Sequence, residues 1–139
     1  MTGDITINYV AVLAAAVANM VVGFLWYGPV FGKIWMKLMG FTPEKMEEMK
    51  KKPMGKSYAI MFASSLVMAY VLAHFVAVWN VTDIWGAVQL AFWIWLGFIA
   101  TVVVSTVLWE GKSWQLYFLN IAYYLVSLSA MTLILVAWK

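Results

Sequence analysis

Residues 115–137 read QLYFLNIAYYLVSLSAMTLILVA, a run that contains no Asp, Glu or Lys. A helix needs about 20 apolar residues to cross the hydrocarbon core of a bilayer. Three further uncharged apolar runs of similar length occupy residues 7–27, 58–78 and 85–108. The alternating polar and apolar pattern of a membrane β-barrel is missing, which leaves helices as the spanning structure. The four runs therefore predict four transmembrane helices.

The composition of the 139-residue chain agrees with a lipid environment. Hydrophobic residues make up 65% of the sequence and charged residues only 11%, whereas soluble domains are about 45–50% apolar and about 25% charged. A soluble domain of this size could not bury so much apolar surface. We predict an all-α polytopic membrane protein, an antiparallel four-transmembrane-helix bundle that forms a single domain over residues 1–139.

The lysines predict the orientation of the helices. All nine cationic residues are Lys; eight lie in the loop at residues 28–57 or in the connection between the third and fourth runs, and the ninth is Lys139. Positively charged loops tend to stay in the cytoplasm. We therefore expect a multi-pass protein of the cytoplasmic (inner) membrane, with the long loop cytoplasmic and both termini outside. Trp residues near both ends of the runs agree with two interfacial aromatic belts.

The long loop begins with a predicted break and a short amphipathic pattern. Gly28-Pro29 predicts the end of the first helix, because Pro disfavours helix in its predecessor and has no N–H. Residues 30–41 then place apolar side chains on one helical face, with Lys33 and Lys37 beside them. This pattern is typical of a short interfacial helix whose lysines reach towards the headgroups.

A second helix start follows in the same loop. Thr42 is expected to cap the helix, and Pro43 suits its first position. The loop is either a solvated orientation signal or a patch that binds anionic lipid or a protein partner. The candidate lipid-surface contacts are Lys33, Trp35, Lys37, Lys50, Lys51 and Lys52.

Small and polar residues at helical spacing predict the faces on which the helices pack. Each run carries one such stripe, which we expect to face inwards, with Asn19 and Asn120 placed to form an interhelical hydrogen bond. The stripes are Ala11, Ala15, Asn19 and Gly23 in the first run; Ser65, Ala69, Ala73 and Ala77 in the second; Gln89, Trp93, Gly97, Thr101, Ser105 and Trp109 in the third; and Asn120, Tyr123, Tyr124 and Ser127 in the fourth.

Polar groups inside the runs are the candidate functional residues, because such groups are costly in lipid. The candidate intramembrane polar site comprises Asn19, His74, Gln89, Thr101, Ser105, Asn120, Tyr123 and Ser127. For His74, the only His, a proton-relay or ligand role competes with a hydrogen-bonded packing role, the commoner one for a lone His near a helix end. Helix packing is a sufficient explanation for most of the others.

The composition excludes several kinds of chemistry. The chain has no Cys and a single His, which excludes disulfides, thiolate metal sites and a multi-His metal site within one chain. It also has no Arg, so the bidentate guanidinium that binds carboxylates or phosphates is missing. No Gly-rich phosphate loop and no GxSxG nucleophile motif occurs. We therefore expect no enzyme activity and no cofactor. The basic loop is read as an orientation signal and not as a nucleic-acid site.

Two functions remain compatible with these observations. The first is a structural or interaction bundle that homo-oligomerises or serves as a subunit of a membrane complex, with lipids and a membrane protein as partners. The second is a small-solute transporter or channel built from two parallel hairpin repeats, because LWYG at residues 25–28 is echoed by LWEG at residues 108–111. No charged residue lies within the runs, which argues against ion or proton coupling.

Several short motifs extend over almost the whole chain. They are Asn8-Tyr9-x-Ala11-Val12, Trp26-Tyr27-x-Pro29, Phe31-Gly32-Lys33-x-Trp35, Met68-Ala69-Tyr70-Val71-Leu72, Trp95-Leu96-Gly97-Phe98, Glu110-Gly111-Lys112, Asn120-x-x-Tyr123 and Leu125-Val126-Ser127-Leu128. On these motifs the chain resembles an uncharacterised prokaryotic family of small four-span membrane proteins, known only as a domain of unknown function. The resemblance implies a fold and no activity. Two features depart from the family pattern: one is the Lys-rich segment after Phe41, and the other is His74.

Overall fold

Four long helices coincide with the four apolar runs in the computed structural model, which describes residues 6–138. Span 1 is Tyr9–Val30, span 2 is Gly55–Val78, span 3 is Ile84–Leu108 and span 4 is Trp114–Ala137. Each is long and apolar enough to cross a membrane, and no strand occurs between residues 6 and 138. The predicted all-α polytopic bundle is confirmed.

Polar side chains determine where three of the spans begin. Asn8, Asp83 and Ser113 are the N-caps of spans 1, 3 and 4, and their side-chain oxygens accept hydrogen bonds from backbone N–H groups of the first turn. Those N–H groups have no acceptor inside the helix. The Asn8 amide also donates to the carbonyl oxygen of Trp138 at 3.0 Å, which joins the start of span 1 to the end of span 4.

Span 1 bends at the predicted Gly28-Pro29 break. The α-helix Tyr9–Leu25 is followed by a π-helical turn, Trp26–Val30, inside which Gly28 has non-helical backbone angles (φ −109°, ψ −107°). Pro29 has no N–H with which to continue the helical ladder. The Phe31 N–H donates instead to the first carbonyl of this turn at 2.9 Å.

Two short helices form in the long loop, as the sequence predicts. The first, Gly32–Met39, is called the amphipathic helix below; it ends at Gly40, whose φ of 74° is a left-handed conformation that Gly adopts without strain. The second helix is Pro43–Lys51. Its cap is Thr42, whose hydroxyl oxygen accepts a hydrogen bond from the Lys45 N–H at 3.2 Å.

Spans 1, 2 and 4 pack against one another, and span 3 packs mainly on span 4. Small side chains lie where the backbones approach most closely, as expected when dispersion contacts hold helices together in lipid. The predicted stripe residues that are buried are Ala11, Ala15 and Asn19 in span 1 and Ser65, Ala69 and Ala73 in span 2, while Gly23 and Ala77 are half-buried. The inward faces predicted for spans 1 and 2 are therefore confirmed.

Span 3 is less regular than the other three spans. Its α-helix Ile84–Ile94 continues into a π-helical turn, Trp95–Ala100, and then into two short helical segments, Thr101–Val103 and Ser105–Leu108. A π-helical turn inserts extra length into a helix and rotates the face that follows it. The two halves of span 3 consequently present different registers to span 4.

The inward stripe predicted for span 3 is wrong. Most of that stripe is exposed and Ser105 is half-buried, whereas the buried residues of the span belong to another face. Alanines let the backbone of span 3 approach span 4 closely, so small apolar residues and not polar ones decide which face packs. The exposed stripe residues are Gln89, Trp93, Gly97, Thr101 and Trp109, and the buried residues of the span are Ala87, Leu90, Ala91 and Ala100.

Candidate functional site: a buried hydrogen-bonded cluster

Asn19 lies at the centre of a hydrogen-bonded cluster between spans 1, 2 and 4. Its Nδ2 donates to Oγ of Ser65 in span 2 at 2.6 Å. Its Oδ1 accepts from the Tyr123 hydroxyl at 3.0 Å and from the Ser127 hydroxyl, both in span 4. Ser65 in turn donates to the Met61 carbonyl at 2.9 Å. A single amide therefore joins three spans.

These four side chains, which we call the Asn19 cluster, are shielded from their surroundings. Asn19 is 5% exposed, Tyr123 is 3% exposed, and Ser65 and Ser127 are each 1% exposed. An unpartnered polar group in hydrocarbon costs several kcal/mol, and every buried polar side-chain atom among residues 6–138 whose side chain is described has a partner. The amide and the three hydroxyls bond to one another, and the Ser65 hydroxyl also donates to a backbone carbonyl, an arrangement that stabilises helix packing.

The predicted hydrogen bond between Asn19 and Asn120 is wrong. Asn120 Oδ1 accepts instead from the Tyr27 hydroxyl at 2.7 Å. The antiparallel packing of spans 1 and 4 explains the difference, because the chain direction is reversed between them. Moving along span 1 from Asn19 to Tyr27 corresponds to moving back along span 4 from Ser127 to Asn120, so the two amides lie at different depths.

Aromatic rings connect the Asn19 cluster to the amphipathic helix. The Tyr27 ring packs edge-on against Tyr123, with ring centroids 5.2 Å apart, and against Trp35 of the amphipathic helix at 5.5 Å. Trp26 Nε1 donates to the Leu119 carbonyl of span 4 at 3.2 Å. The bend in span 1 thus brings both rings of the Trp-Tyr-x-Pro motif into contact with span 4.

His74 lies outside the Asn19 cluster and makes local contacts. It is half-buried, its Nδ1 is 2.9 Å from the Tyr70 carbonyl oxygen one turn earlier, and its ring packs edge-on against Tyr70 at a centroid distance of 4.5 Å. Both contacts are within span 2.

The three candidates of span 3 also lie apart from the cluster. The Thr101 hydroxyl donates to the Gly97 carbonyl at 2.7 Å, and the Ser105 hydroxyl donates to the Val102 carbonyl at 2.9 Å, so both bond to their own helix. Gln89 is exposed. The side chains of span 3 that form hydrogen bonds to other described residues are Trp95, Thr101, Ser105 and Thr106.

The predicted lipid-surface residues lie on the two loop helices or at their ends. Lys33, Lys37, Lys51 and Lys52 are exposed. Trp35 is half-buried, because its ring also packs against the protein, on Tyr27 and on Phe41. The Lys50 side chain lies outside the described part of the structure, as does Lys139, the ninth lysine of the orientation argument.

The structure adds Ser65 and Tyr27 to the residues that matter at this site. Ser65 stands in the small-residue stripe predicted for span 2, and its position one turn before Ala69 was the available signal. Tyr27 belongs to the Trp-Tyr-x-Pro motif. Among the described residues, no group of three or more His, Cys, Asp or Glu side chains comes together as metal ligands would.

The fold and the Asn19 cluster define a small polytopic helical membrane protein with a hydrogen-bonded core. The chain belongs to the family described as "Protein of unknown function (DUF1761)", whose model matches residues 10–136. Among curated proteins and among solved structures, none matches the chain. The family match confirms the resemblance that the sequence motifs indicate.

Proposed function

We propose that this protein is a structural or interaction component of the membrane that self-associates through span 3. The observation that carries the proposal is the stripe of span 3 that the fold leaves outside, formed by Gln89, Trp93, Gly97 and Thr101, all of them exposed. We call it the outer stripe. It contains the polar and small residues through which membrane helices associate.

Gln89 is the strongest argument within the outer stripe. Its amide carries donors and an acceptor, and it forms none of the side-chain hydrogen bonds that span 3 makes to other described residues. An amide facing hydrocarbon is costly. Because an amide is complementary to itself, a second copy related by a two-fold axis supplies both the missing donor and the missing acceptor.

The packing of span 3 supports the same conclusion. In the most apolar 18-residue stretch of span 3, only 17% of the residues are buried inside the protein, whereas the corresponding share in span 4 is 44%. A Cβ added at Gly97 would meet nothing within 4 Å, so the backbone of span 3 is accessible to another helix at that level. A second copy of span 3 would cover this surface.

Two observations favour an interaction role over the solute transporter or channel. The polar groups of the Asn19 cluster bond to one another and so support helix packing. In addition, span 1 packs along both spans 2 and 4, whereas span 3 packs mainly on span 4. Two equivalent hairpin repeats would pack alike.

Subunit counting in liposomes tests the proposal. Singly labelled protein should be dimeric or larger at high protein density and dissociate on lipid dilution. Gln89→Leu should shift the midpoint of that dissociation by roughly threefold to twentyfold, since hydrogen bonds between membrane helices contribute about 0.6–1.7 kcal/mol. Val67→Leu, on the exposed face of span 2, should leave it unchanged. A wild type that is monomeric at every dilution would exclude self-association.

We also propose that the long loop is cytoplasmic and that both termini lie outside. The distribution of lysines supports this orientation. Because the chain has no Cys, Lys51→Cys and Thr82→Cys each carry one reactive thiol. Thr82 is preferred to Asp83, whose side chain caps span 3 by accepting from the Gly86 N–H at 2.8 Å. In intact cells an impermeant maleimide should label only Thr82→Cys. Labelling of Lys51→Cys alone would contradict the proposed orientation and indicate the opposite one.

A further inference from the structure

An apolar groove with a volume of about 590 Å³ lies between the amphipathic helix and the first half of span 4. Ile34 and Leu38 line it on the side of the amphipathic helix, and Phe118 and Leu119 line it on the side of span 4. Its volume falls in the range of sites that hold small molecules, about 300–1,000 Å³. The groove therefore has room for part of an elongated apolar ligand.

The polar groups of the groove are few. Among the described residues, Lys37 is the only charged one that lines the groove, and Gln115 adds an amide. Gln115 lies in the first turn of span 4, where the helix dipole adds positive potential. A groove with apolar walls, a cation and an amide donor is complementary to an amphiphile with a negatively charged head.

The position of the groove favours a lipid as that amphiphile. The amphipathic helix follows directly after span 1, and the groove extends from it to residues near the start of span 4. The ends of spans lie at the level of the lipid headgroups, and lysines of an amphipathic helix reach towards that level. An acyl chain can then follow the apolar walls towards the bilayer core.

We infer that this groove binds one anionic phospholipid, with its phosphate against Lys37 and Gln115 and an acyl chain against Ile34, Leu38 and Phe118. The site is separate from the outer stripe, because the groove is formed by the amphipathic helix with spans 1 and 4 and contains no residue of span 3. The proposal of lipid binding and the proposal of self-association can therefore be tested independently of each other.

Native mass spectrometry of the detergent-solubilised protein tests this site. Titration with phosphatidylglycerol and phosphatidylcholine of identical acyl chains should give one high-affinity lipid, with phosphatidylglycerol bound about fivefold more tightly, the factor expected for one lysine near an anionic headgroup. Lys37→Gln should abolish that preference. Lys33→Gln is the matched control, since Lys33 is exposed on the same helix but does not line the groove, and it should retain the preference.

A second variant tests the apolar part of the site. Ala122 lines the groove, and Ala122→Phe fills space that the acyl chain requires, so it should weaken the binding of both lipids by about tenfold. Equal affinity of the wild type for the two lipids would overturn the inference, as would equal losses in Lys33→Gln and Lys37→Gln or unchanged binding in Ala122→Phe. The same spectra report the number of chains in each complex, which separates this outcome from that of self-association.

Discussion

Asn19 in span 1 and Gln89 in span 3 carry the same amide group and have opposite surroundings. Asn19 is 5% exposed and bonds to side chains of spans 2 and 4. Gln89 is exposed on the outer stripe. In this fold the buried amide is the one that meets hydroxyls at helical spacing on the neighbouring spans. Spans 2 and 4 supply them at Ser65, Tyr123 and Ser127, whereas Gln89 forms no side-chain hydrogen bond to another described residue.

The two regions also differ in how their helices are held to span 4. Span 1 joins it mainly through bonds between side chains, those of the Asn19 cluster and that of Tyr27 with Asn120, and by one bond from Trp26 to the Leu119 carbonyl. Span 3 joins it through side-chain bonds to the backbone at the π-helical turn: Tyr117 OH donates to the Ala100 carbonyl, and Trp95 Nε1 donates to the Ile121 carbonyl, both at 2.6 Å. These bonds hold span 3 in place and leave its polar stripe outside.

The largest effect is expected from crowding the close contact between spans 1 and 2. Ala69 is fully buried, and Ala69→Leu should lower the free energy of unfolding by up to about 3 kcal/mol, as overpacking does. Val67→Leu places a similar side chain where the residue is 64% exposed and should be close to neutral. Steric trapping in bicelles measures both, and equal effects would contradict the helix arrangement.

A direct comparison of the two amides should give the next largest effect. Asn19→Ala leaves the hydroxyls of Ser65, Tyr123 and Ser127 without their shared partner and should lower the free energy of unfolding of the monomer by about 2 kcal/mol. Gln89→Ala should change it by less than about 0.5 kcal/mol. The measurement is steric trapping at high lipid dilution, and a reversed order of the two variants would refute the assignment of the buried amide.

Removing one bond at the π-helical turn should have a smaller effect. Trp95→Phe deletes the donor to the Ile121 carbonyl and should lower the free energy of unfolding by about 1 kcal/mol. Trp93→Phe is the matched control, because Trp93 lies on the outer stripe and is 63% exposed. If both variants have the same free energy of unfolding at high lipid dilution, the attachment of span 3 does not depend on this bond.

The spans, the break at Gly28-Pro29 and the two loop helices could be predicted because each depends on local sequence. Apolar length fixes a span, and Pro and Thr act on their immediate neighbours. The Asn19 cluster is predictable in part: the sequence indicates Asn19, Tyr123 and Ser127 as candidate residues, but the predicted partner of Asn19, Asn120, is wrong. The relative depth of two antiparallel helices depends on the length and bend of the connection, which a helical stripe does not encode.

Span 3 could not be oriented from its sequence, for a physical reason. Polar and small residues at helical spacing indicate a face that associates with another helix, but they do not say whether that helix is in the same chain. Two faces of span 3 meet this description, one with Gln89 and Gly97 and the other with Ala87 and Ala91. The π-helical turn at Trp95–Ala100 added a change of register that no sequence motif indicated.

Cysteine crosslinking in liposomes tests the central claim, that the outer stripe is the surface of self-association. The chain has no Cys, so Gln89→Cys, Trp93→Cys and Gly97→Cys each introduce a single thiol. Two cysteines form a disulfide when their Cβ atoms lie about 3.5–4.5 Å apart. We expect oxidation to give dimers at these positions and none at the exposed Val67→Cys of span 2. Equal crosslinking at all four positions, or crosslinking at Val67→Cys alone, would contradict the claim.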